Sequence, residues 1–430
     1  MPPKVLLDTA TDLVQRVLRL DTAADAAVAG FFRERRALGP RERATLAETV
    51  YAVLRRKLLF DYLACSSNGA HERRLAMLGF AAPRDFLRPA LTADEQAWLA
   101  ACDAVLEDVN KPATSTNLPP ACRHNLPPWL AERLQAELGE PEFDALAAAL
   151  LQSAPLDLRV NTLLTKRAQA EQELRAAGIA ATPTPHSPWG LRVSGKPALN
   201  RLGLFTRGAI EVQDEGAQLL ALLLDARRGE MAADFCAGAG GKTLAIGAAM
   251  RDTGRLYAFD VSAHRLAALG PRLARSGLSN VYPIVIAHER DERVARLGAK
   301  LDRVLVDAPC SGLGTLRRNP DLKWRQSPQD VRELALRQQA ILSSAARLVK
   351  PGGRLVYATC SLLADENEAV AGAFSAAHPN FAPLHAAELL HALKVPDATS
   401  LVTARGHLRL WPHQHGTDGF FAAVWQRLGS

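Results

Sequence analysis

Asp234-Phe235-Cys236-Ala237-Gly238-Ala239-Gly240-Gly241-Lys242-Thr243 joins two apolar runs of different character. The first, Met231 to Phe235, has the length of a short buried strand, and the second, Leu244 to about Met250, is an Ala/Leu/Ile segment that reads as a helix. Glycines at 238, 240 and 241 let the main chain come close to a ligand, whose polar groups can meet the free amides of the helix N-terminus. Three ligands compete for such a cradle. A nucleoside triphosphate loop needs a glycine, four residues, then Gly-Lys-Thr, and counting back from Gly241 puts Cys236 where that glycine belongs. A dinucleotide fingerprint would place its third glycine on Thr243. The nucleoside pocket of an S-adenosylmethionine-dependent methyltransferase shares the geometry and has no pyrophosphate to hold. It needs an acidic residue at the end of the next strand for the ribose hydroxyls, and Arg255 to Asp260 ends on Asp260, roughly 20 residues on. A bare structural turn remains the alternative; loop and Asp260 together favour the cofactor.

Beyond this unit strand-like and helix-like segments alternate: Val281 to Ile286, Arg303 to Asp307, a helix over 330–348, Arg354 to Thr359 and a helix over 365–376, after a helix over 263–276. Unbroken apolar strands alternating with helices predict an α/β fold, a Rossmann-like parallel sheet covered on both faces, with the site at the strands' carboxyl ends. Leu408 to Trp411 and Gly419 to Trp425 are expected to pair as an antiparallel hairpin at the sheet edge. Upstream, Leu158, Val160 and Asn161, a helix over 166–177, then Leu191, Val193 and Leu204 suggest a small α/β subdomain. Residues 1 to about 66 read as all-helical, with stripes such as Val28, Phe31, Phe32 and Leu46, Val50, Val53, Leu54, and Gly39-Pro40 between two helices. Their other faces carry Arg33, Arg35, Arg36, Arg41, Arg43, Arg55, Arg56 and Lys57, which suit either a solvated surface or an RNA-facing one. Helical pattern continues to Val109 and gives way to a Thr/Ser/Asn/Pro linker over 110–120. The expected division is therefore 1–121 helical, 122–208 linker helices and small α/β subdomain, and 209–430 cofactor domain.

At 430 residues two or three domains are expected, and the composition is that of an ordinary soluble protein. No apolar run approaches the ~20 residues of a membrane span. The N-terminus lacks the order of a secretory signal, so the expectation is cytoplasmic. A net charge of +7 leans toward a polyanionic partner. Six cysteines without a framework or Cys-x-x-Cys pairs argue against disulfides and structural zinc. Cys122 with His124, and His413 with His415, lack a second pair, and no metal is expected.

Two cysteines stand at strand ends, in Asp307-Ala308-Pro309-Cys310-Ser311-Gly312 and in Ala358-Thr359-Cys360-Ser361. Neighbouring parallel strands would bring both thiols to the rim that carries the glycine loop. Inert packing thiols are the alternative. The chemistry such a pair suits is methylation at C5 of a pyrimidine, a carbon too weakly nucleophilic to accept a methyl group unaided. A thiolate adding to C6 makes the ring an enamine, and a base then removes the C5 proton so that the thiol can leave. Asp307 is placed to hold or protonate the ring near N3.

Asp-x-Cys-Ala-x-x-Gly-Gly-Lys-Thr, Asp-Ala-Pro-Cys-Ser-Gly, Asn319-Pro-Asp-Leu-Lys-Trp324 and Ala-Thr-Cys-Ser followed by Glu366-Asn367-Glu368 together resemble the RsmB/NOP2/NSUN family of RNA cytosine-5 methyltransferases. The resemblance covers about Leu156 to the C-terminus, and the N-terminal helices are similar to the NusB-like domain of the branch that modifies small-subunit (16S) ribosomal RNA. It implies Cys360 as nucleophile and Cys310 as the residue that helps release product; DNA cytosine-5 methyltransferases instead use the cysteine that corresponds to Cys310. It implies that Cys236, Ala237, Gly238, Ala239, Gly240, Gly241, Lys242, Asp260 and Asp307 hold S-adenosyl-L-methionine, with Asp307 between cofactor and base. Lys242 would orient Asp307 or the base, with helix capping as its alternative. Two departures stand out. Many members carry Ala-Pro where this chain has Gly238-Ala239, and the acidic residue usual at the end of the third strand is replaced by Ala287-His288-Glu289, leaving His288, Glu289, Asp291 or nothing to meet the adenine amino group. The expected enzyme is a monomer that binds RNA and methylates it; a non-catalytic RNA-binding assembly factor and a DNA methyltransferase are the alternatives.

Overall fold

The computed structural model describes residues 1–66, 68–109 and 118–429. The expected linker therefore falls, over 110–117, outside the described residues. The chain divides into two compact units, Met1–Ser153 with Leu316–Gln326, and Ala154–Thr315 with Ser327–Ser430.

The first unit is helical. Helices Pro3–Val17, Ala24–Glu34, Pro40–Arg55, Lys57–Ala64 and His71–Gly79 bury Leu7, Leu13, Leu46, Leu54, Leu59 and Leu75 in one core, the stripes at i, i+3 and i+4 facing inward. Gly39 is the N-cap of the third of these and Pro40 its first residue. Much of the basic surface is occupied within the unit. Arg16 forks onto Glu34, Arg35 meets Asp12 at 2.9 Å, Lys57 meets Asp61 at 2.6 Å, and Arg55 reaches the Arg317 carbonyl at 3.1 Å, while Arg33, Arg36 and Arg41 stay exposed.

Leu316–Gln326, which contains the Asn319–Trp324 motif, belongs to this helical core rather than to the sheet unit. Its side chains occupy two helix ends. The Asp321 carboxylate accepts the otherwise orphaned N–H of Ala24 at the start of one helix (3.1 Å). At the end of another, Lys323 Nζ donates to the Arg55 carbonyl (2.9 Å) and the Trp324 indole to the Leu54 carbonyl (2.7 Å). An anion at a helix N-terminus is the sense the dipole favours, and at the C-terminus Lys323 and Trp324 serve as hydrogen-bond donors to the last carbonyls. Burial drives the Lys323 ammonium well below the usual lysine range. Asp321→Ala is expected to lower the stability of this unit by about 1–2 kcal/mol, the worth of a helix cap, and Trp324→Phe by about 1 kcal/mol, the worth of one buried hydrogen bond. Urea denaturation followed by circular dichroism checks this; unchanged midpoints would mean the segment merely rests there.

The second unit holds two sheets. The smaller is antiparallel, in the order β2-β3-β1-β4, with β1 Leu156–Val160, β2 Ala181–Pro183, β3 Gly190–Val193 and β4 Ile210–Val212. Leu204, expected in a strand, lies instead in the short helix Gly203–Thr206. The strand that completes the sheet is β4, only three residues long and too short to show a period.

The larger sheet runs β10-β12-β9-β8-β5-β6-β7, with β11 added on β12. Five strands are mutually parallel: β5 Met231–Phe235, β6 Arg255–Asp260, β7 Val281–Val285, β8 Leu301–Asp307 and β9 Val349–Thr359. The expected hairpin forms between β11 Leu408–Leu410 and β12 Phe420–Arg427, but β12 lies inside the sheet, antiparallel to β9 and to the edge strand β10 Phe381–Leu384. Phe420 to Trp425 is buried without interruption, and a strand covered on both faces belongs inside a sheet. The helix expected over 263–276 divides into Ala263–Ala267 and Leu269–Ser276, since Pro271 has no N–H to give the carbonyl of Ala267.

Candidate active site

The central strand β5 ends at the glycine loop, and the helix after it starts at Gly241, three residues before the sequence pattern suggests. Gly240 takes φ +81°, and a Cβ there would sit 2.1 Å from Leu269 Cδ1, so both backbone and space demand glycine. Gly238 takes φ +56° with nothing within 4 Å of where a Cβ would stand; its surface is open to the cavity in front of the loop. Arg272, anchored on Glu211 at 3.0 Å, donates to the Ala239 carbonyl at 2.6 Å and fixes the loop from outside. Beneath it, Asp234 is fully buried and accepts the Thr243 hydroxyl at 2.6 Å; burial pushes its carboxyl up to about 7.

Around this loop lies a cavity of about 750 Å³, within the range of small-molecule sites, lined by Cys236 to Ala239, Gly241, Lys242, Asp260, Asp307, Cys310 and Cys360. Asp260, at the end of β6, accepts the Gly238 N–H (2.8 Å) and the Ser262 N–H (2.7 Å) and so joins loop and strand end. Its place, the open face of Gly238 and the cavity's size fit a cofactor carrying a nucleoside, as S-adenosylmethionine does. At the far side Ile286, Ala287, His288 and Glu289 line the same cavity. Asp291 does not; its carboxylate accepts the Ala287 N–H (2.9 Å), caps the helix Glu292–Ala295 and pairs with Arg293 (2.7 Å), which together hold it well below the usual carboxylate range. Of the three candidate acceptors only His288 and Glu289 therefore line the cavity, and His288 Nδ1 already accepts the Arg290 N–H.

The thiols meet because β8 and β9 are parallel neighbours, with Asp307 beside Ala358. Cys310 Sγ and Cys360 Sγ are 3.3 Å apart, and the Cys360 N–H also donates to Cys310 Sγ at 3.3 Å. The contact with Cys360, burial and the charge of Glu366 raise the Cys310 thiol well above its ordinary value, so it holds its proton. Burial and nearby carboxylates raise the Cys236 thiol as well, which leaves it a wall of the pocket. Lys242 Nζ donates to Asp307 Oδ2 at 2.7 Å and lies 5.9 Å from the centre of the Phe420 ring, brought in by β12.

Gln213, Thr315, Arg337 and Phe420 also line the cavity and carry no signal in the sequence that singles them out. Of the histidine and cysteine couples weighed for metal, His124 pairs with Asp144 and His415 is held by Trp411 and Ser400. Among the described residues no group of three His, Cys, Asp or Glu is arranged for a metal, and no helix is long and apolar enough to cross a membrane.

Comparison with known proteins points the same way. The family described as 16S rRNA methyltransferase RsmB/F matches residues 221–426, and a family described as the RsmF/B-like ferredoxin-like domain matches residues 126–200. The chain is 39% identical to the "Probable ribosomal RNA small subunit methyltransferase B" of Synechocystis sp., over 70% of this chain and 66% of that one. It is 31% identical to the protein of the same name from Bacillus subtilis, over 80% of this chain and 74% of that one. The crystal structure of PH0851 superposes with a TM-score of 0.77 at 25% identity, covering 99% of each chain.

Proposed function

The chain belongs to the 16S rRNA methyltransferase RsmB/F family, and from that premise we propose that it transfers a methyl group from S-adenosylmethionine to C5 of a cytosine in small-subunit ribosomal RNA. The observation that carries the reading is the pair of sulfurs 3.3 Å apart on the rim of the cavity that also holds the glycine loop and Asp260. One thiol can form and break a bond to the base while its neighbour handles a proton.

The division of labour between the two thiols is the one that the family resemblance implies. The Cys360 thiolate adds to C6 of the cytosine, and the ring electrons displaced make C5 an enamine carbon. S-adenosylmethionine supplies an electrophilic methyl group, which C5 accepts. The C5 proton then leaves to a base, the C6–S bond breaks and the thiolate returns to its starting state. Cys310, holding its proton 3.3 Å from the departing sulfur, assists that last step. Asp307, kept in place by Lys242, faces the base and binds its N3 edge. Gly238 and Asp260 would hold the cofactor's ribose, and His288 or Glu289 its adenine. The target cytosine must leave its stack to reach the pocket. The exposed Arg33, Arg36 and Arg41 of the helical unit would contact phosphates of the surrounding RNA. The protein would act in the cytoplasm, as a monomer.

Incubation with methyl-labelled cofactor and unmodified 16S rRNA, followed by digestion to nucleosides, is the test. Label is expected in 5-methylcytidine alone. Label in another nucleoside would overturn the reaction, and binding of RNA without label would make the protein an assembly factor.

A further inference from the structure

Glu366 lies in the turn after β9 and is fully buried. A carboxylate taken out of water is costly unless donors satisfy it. Here Oε1 accepts the Ser311 N–H at 2.8 Å and Gln338 Nε2 at 2.9 Å, and Oε2 accepts the hydroxyls of Ser311 and Ser361. Four donors fill the four lone-pair directions of an ionised carboxylate.

The sources of those donors matter. Ser311 directly follows Cys310, and Ser361 directly follows Cys360. Gln338, on the helix Pro328–Ala346, also donates to the Pro309 carbonyl at 2.9 Å, just before Cys310. The Tyr357 hydroxyl, on β9, lies 3.0 Å from Gln338 Oε1 and closes the network from below. Both cysteines stand past the ends of their strands, where no sheet ladder holds them. A single buried carboxylate thus grips the residue after each thiol.

We propose that Glu366 is a positioning residue for methyl transfer: by clamping Ser311 and Ser361 together it sets the separation and aim of the Cys310 and Cys360 thiols, so that both address one pyrimidine ring. The inference rests on the reading above that these thiols share the reaction. Glu366 touches neither substrate nor cofactor. Its charge is satisfied entirely by the two turns and the helix it joins, and its effect on the reaction passes through them. A shift of about 1 Å at a reacting group is enough to cost a rate roughly 100-fold.

Two measurements on Glu366→Gln separate the inference from the reading it rests on. The first needs no methyl transfer. Diamide takes two electrons and two protons from a pair of thiols and leaves a disulfide, and the rate at which Cys310 and Cys360 are joined is read by peptide mass. Removing the Glu366 charge lowers the pKa of the Cys310 thiol and by itself speeds this reaction, so a fall in rate reports lost juxtaposition. That rate is expected to fall at least about tenfold in Glu366→Gln. The second is steady-state methylation of RNA, in which kcat should fall roughly 10- to 100-fold while KM for RNA and the affinity for the cofactor stay within about twofold. Ser361→Ala, which removes one donor and leaves the carboxylate in place, should move both rates in the same direction by a smaller factor and decides the matter should Glu366→Gln not fold. Wild-type values of both rates in a folded variant would overturn the proposal. Slowed disulfide formation in a protein whose wild type methylates no RNA would uphold the clamp and overturn the reading of the reaction.

Discussion

Cys360→Ala is expected to abolish methyl transfer, by on the order of 10³-fold or more, whereas Cys310→Ala is expected to stop at a covalent protein–RNA adduct. The asymmetry follows from what each sulfur does. If Cys360 is the nucleophile as proposed, without it nothing adds to C6 and C5 never becomes nucleophilic; burial keeps the Cys236 thiol protonated, and burial and the charge of Glu366 still raise the Cys310 thiol once its contact with Cys360 is gone. Without Cys310 the addition and the transfer proceed, but the C6–S bond loses the neighbour that lies 3.3 Å from its sulfur. The measurement is a denaturing gel after incubation with methyl-labelled cofactor and ribosomal RNA: free labelled RNA from wild type, a labelled band at the mass of protein plus RNA from Cys310→Ala, and no label from Cys360→Ala. The opposite pattern, with the adduct in Cys360→Ala, would assign the nucleophile to Cys310, as in the DNA enzymes.

Asp307→Ala should lose activity by a comparable factor and destabilise the sheet unit as well. Its carboxylate is the partner of Lys242, whose side chain is only 13% exposed, and removing it leaves that ammonium without its counter-charge. A fully buried pair broken on one side costs ~3–5 kcal/mol. With 28% of the Asp307 side chain in contact with solvent the cost here is expected at roughly 1–3 kcal/mol. Asp307→Asn keeps the shape and a hydrogen-bonding oxygen, so it should recover part of the stability while methylation stays low. Chemical denaturation and single-turnover methylation of the two variants check the pair of statements. An active Asp307→Asn would remove the charge at this position from the mechanism.

Much of the site is legible in the chain because its parts are local. A strand, a glycine turn and a helix are consecutive, so the reading of 234–243 needs no knowledge of anything distant, and Asp260 follows at the spacing a single βαβ step imposes. Cys310 and Cys360 each stand just past an apolar run that reads as a buried strand and forms one. The Glu366 motif shows the limit. Its residues are visible in sequence, but a glutamate in an acidic stretch looks like solvated surface until its four donors, from as far as 55 residues away, are in view. The Asn319–Trp324 motif shows it too. Nothing in those residues says that they cap helices more than 260 positions earlier in the chain.

By itself the sequence determined the α/β class, the helical N-terminal part, and the glycine loop and two strand-end thiols that come to line one cavity, since each of these is written in residues close together along the chain. β8 beside β9 is the neighbourhood expected for the two thiols, and only their 3.3 Å separation had to be found in the folded molecule. The place of β12, inside the sheet rather than at its edge, was decided only there. So were the distances of the pocket, the turning of Asp291 away from it and the arrival of Phe420 beside Lys242. Such features depend on pairings between segments far apart in sequence, whose apolar patterns are nearly interchangeable, and it is packing both faces of the sheet at once that selects one arrangement among them.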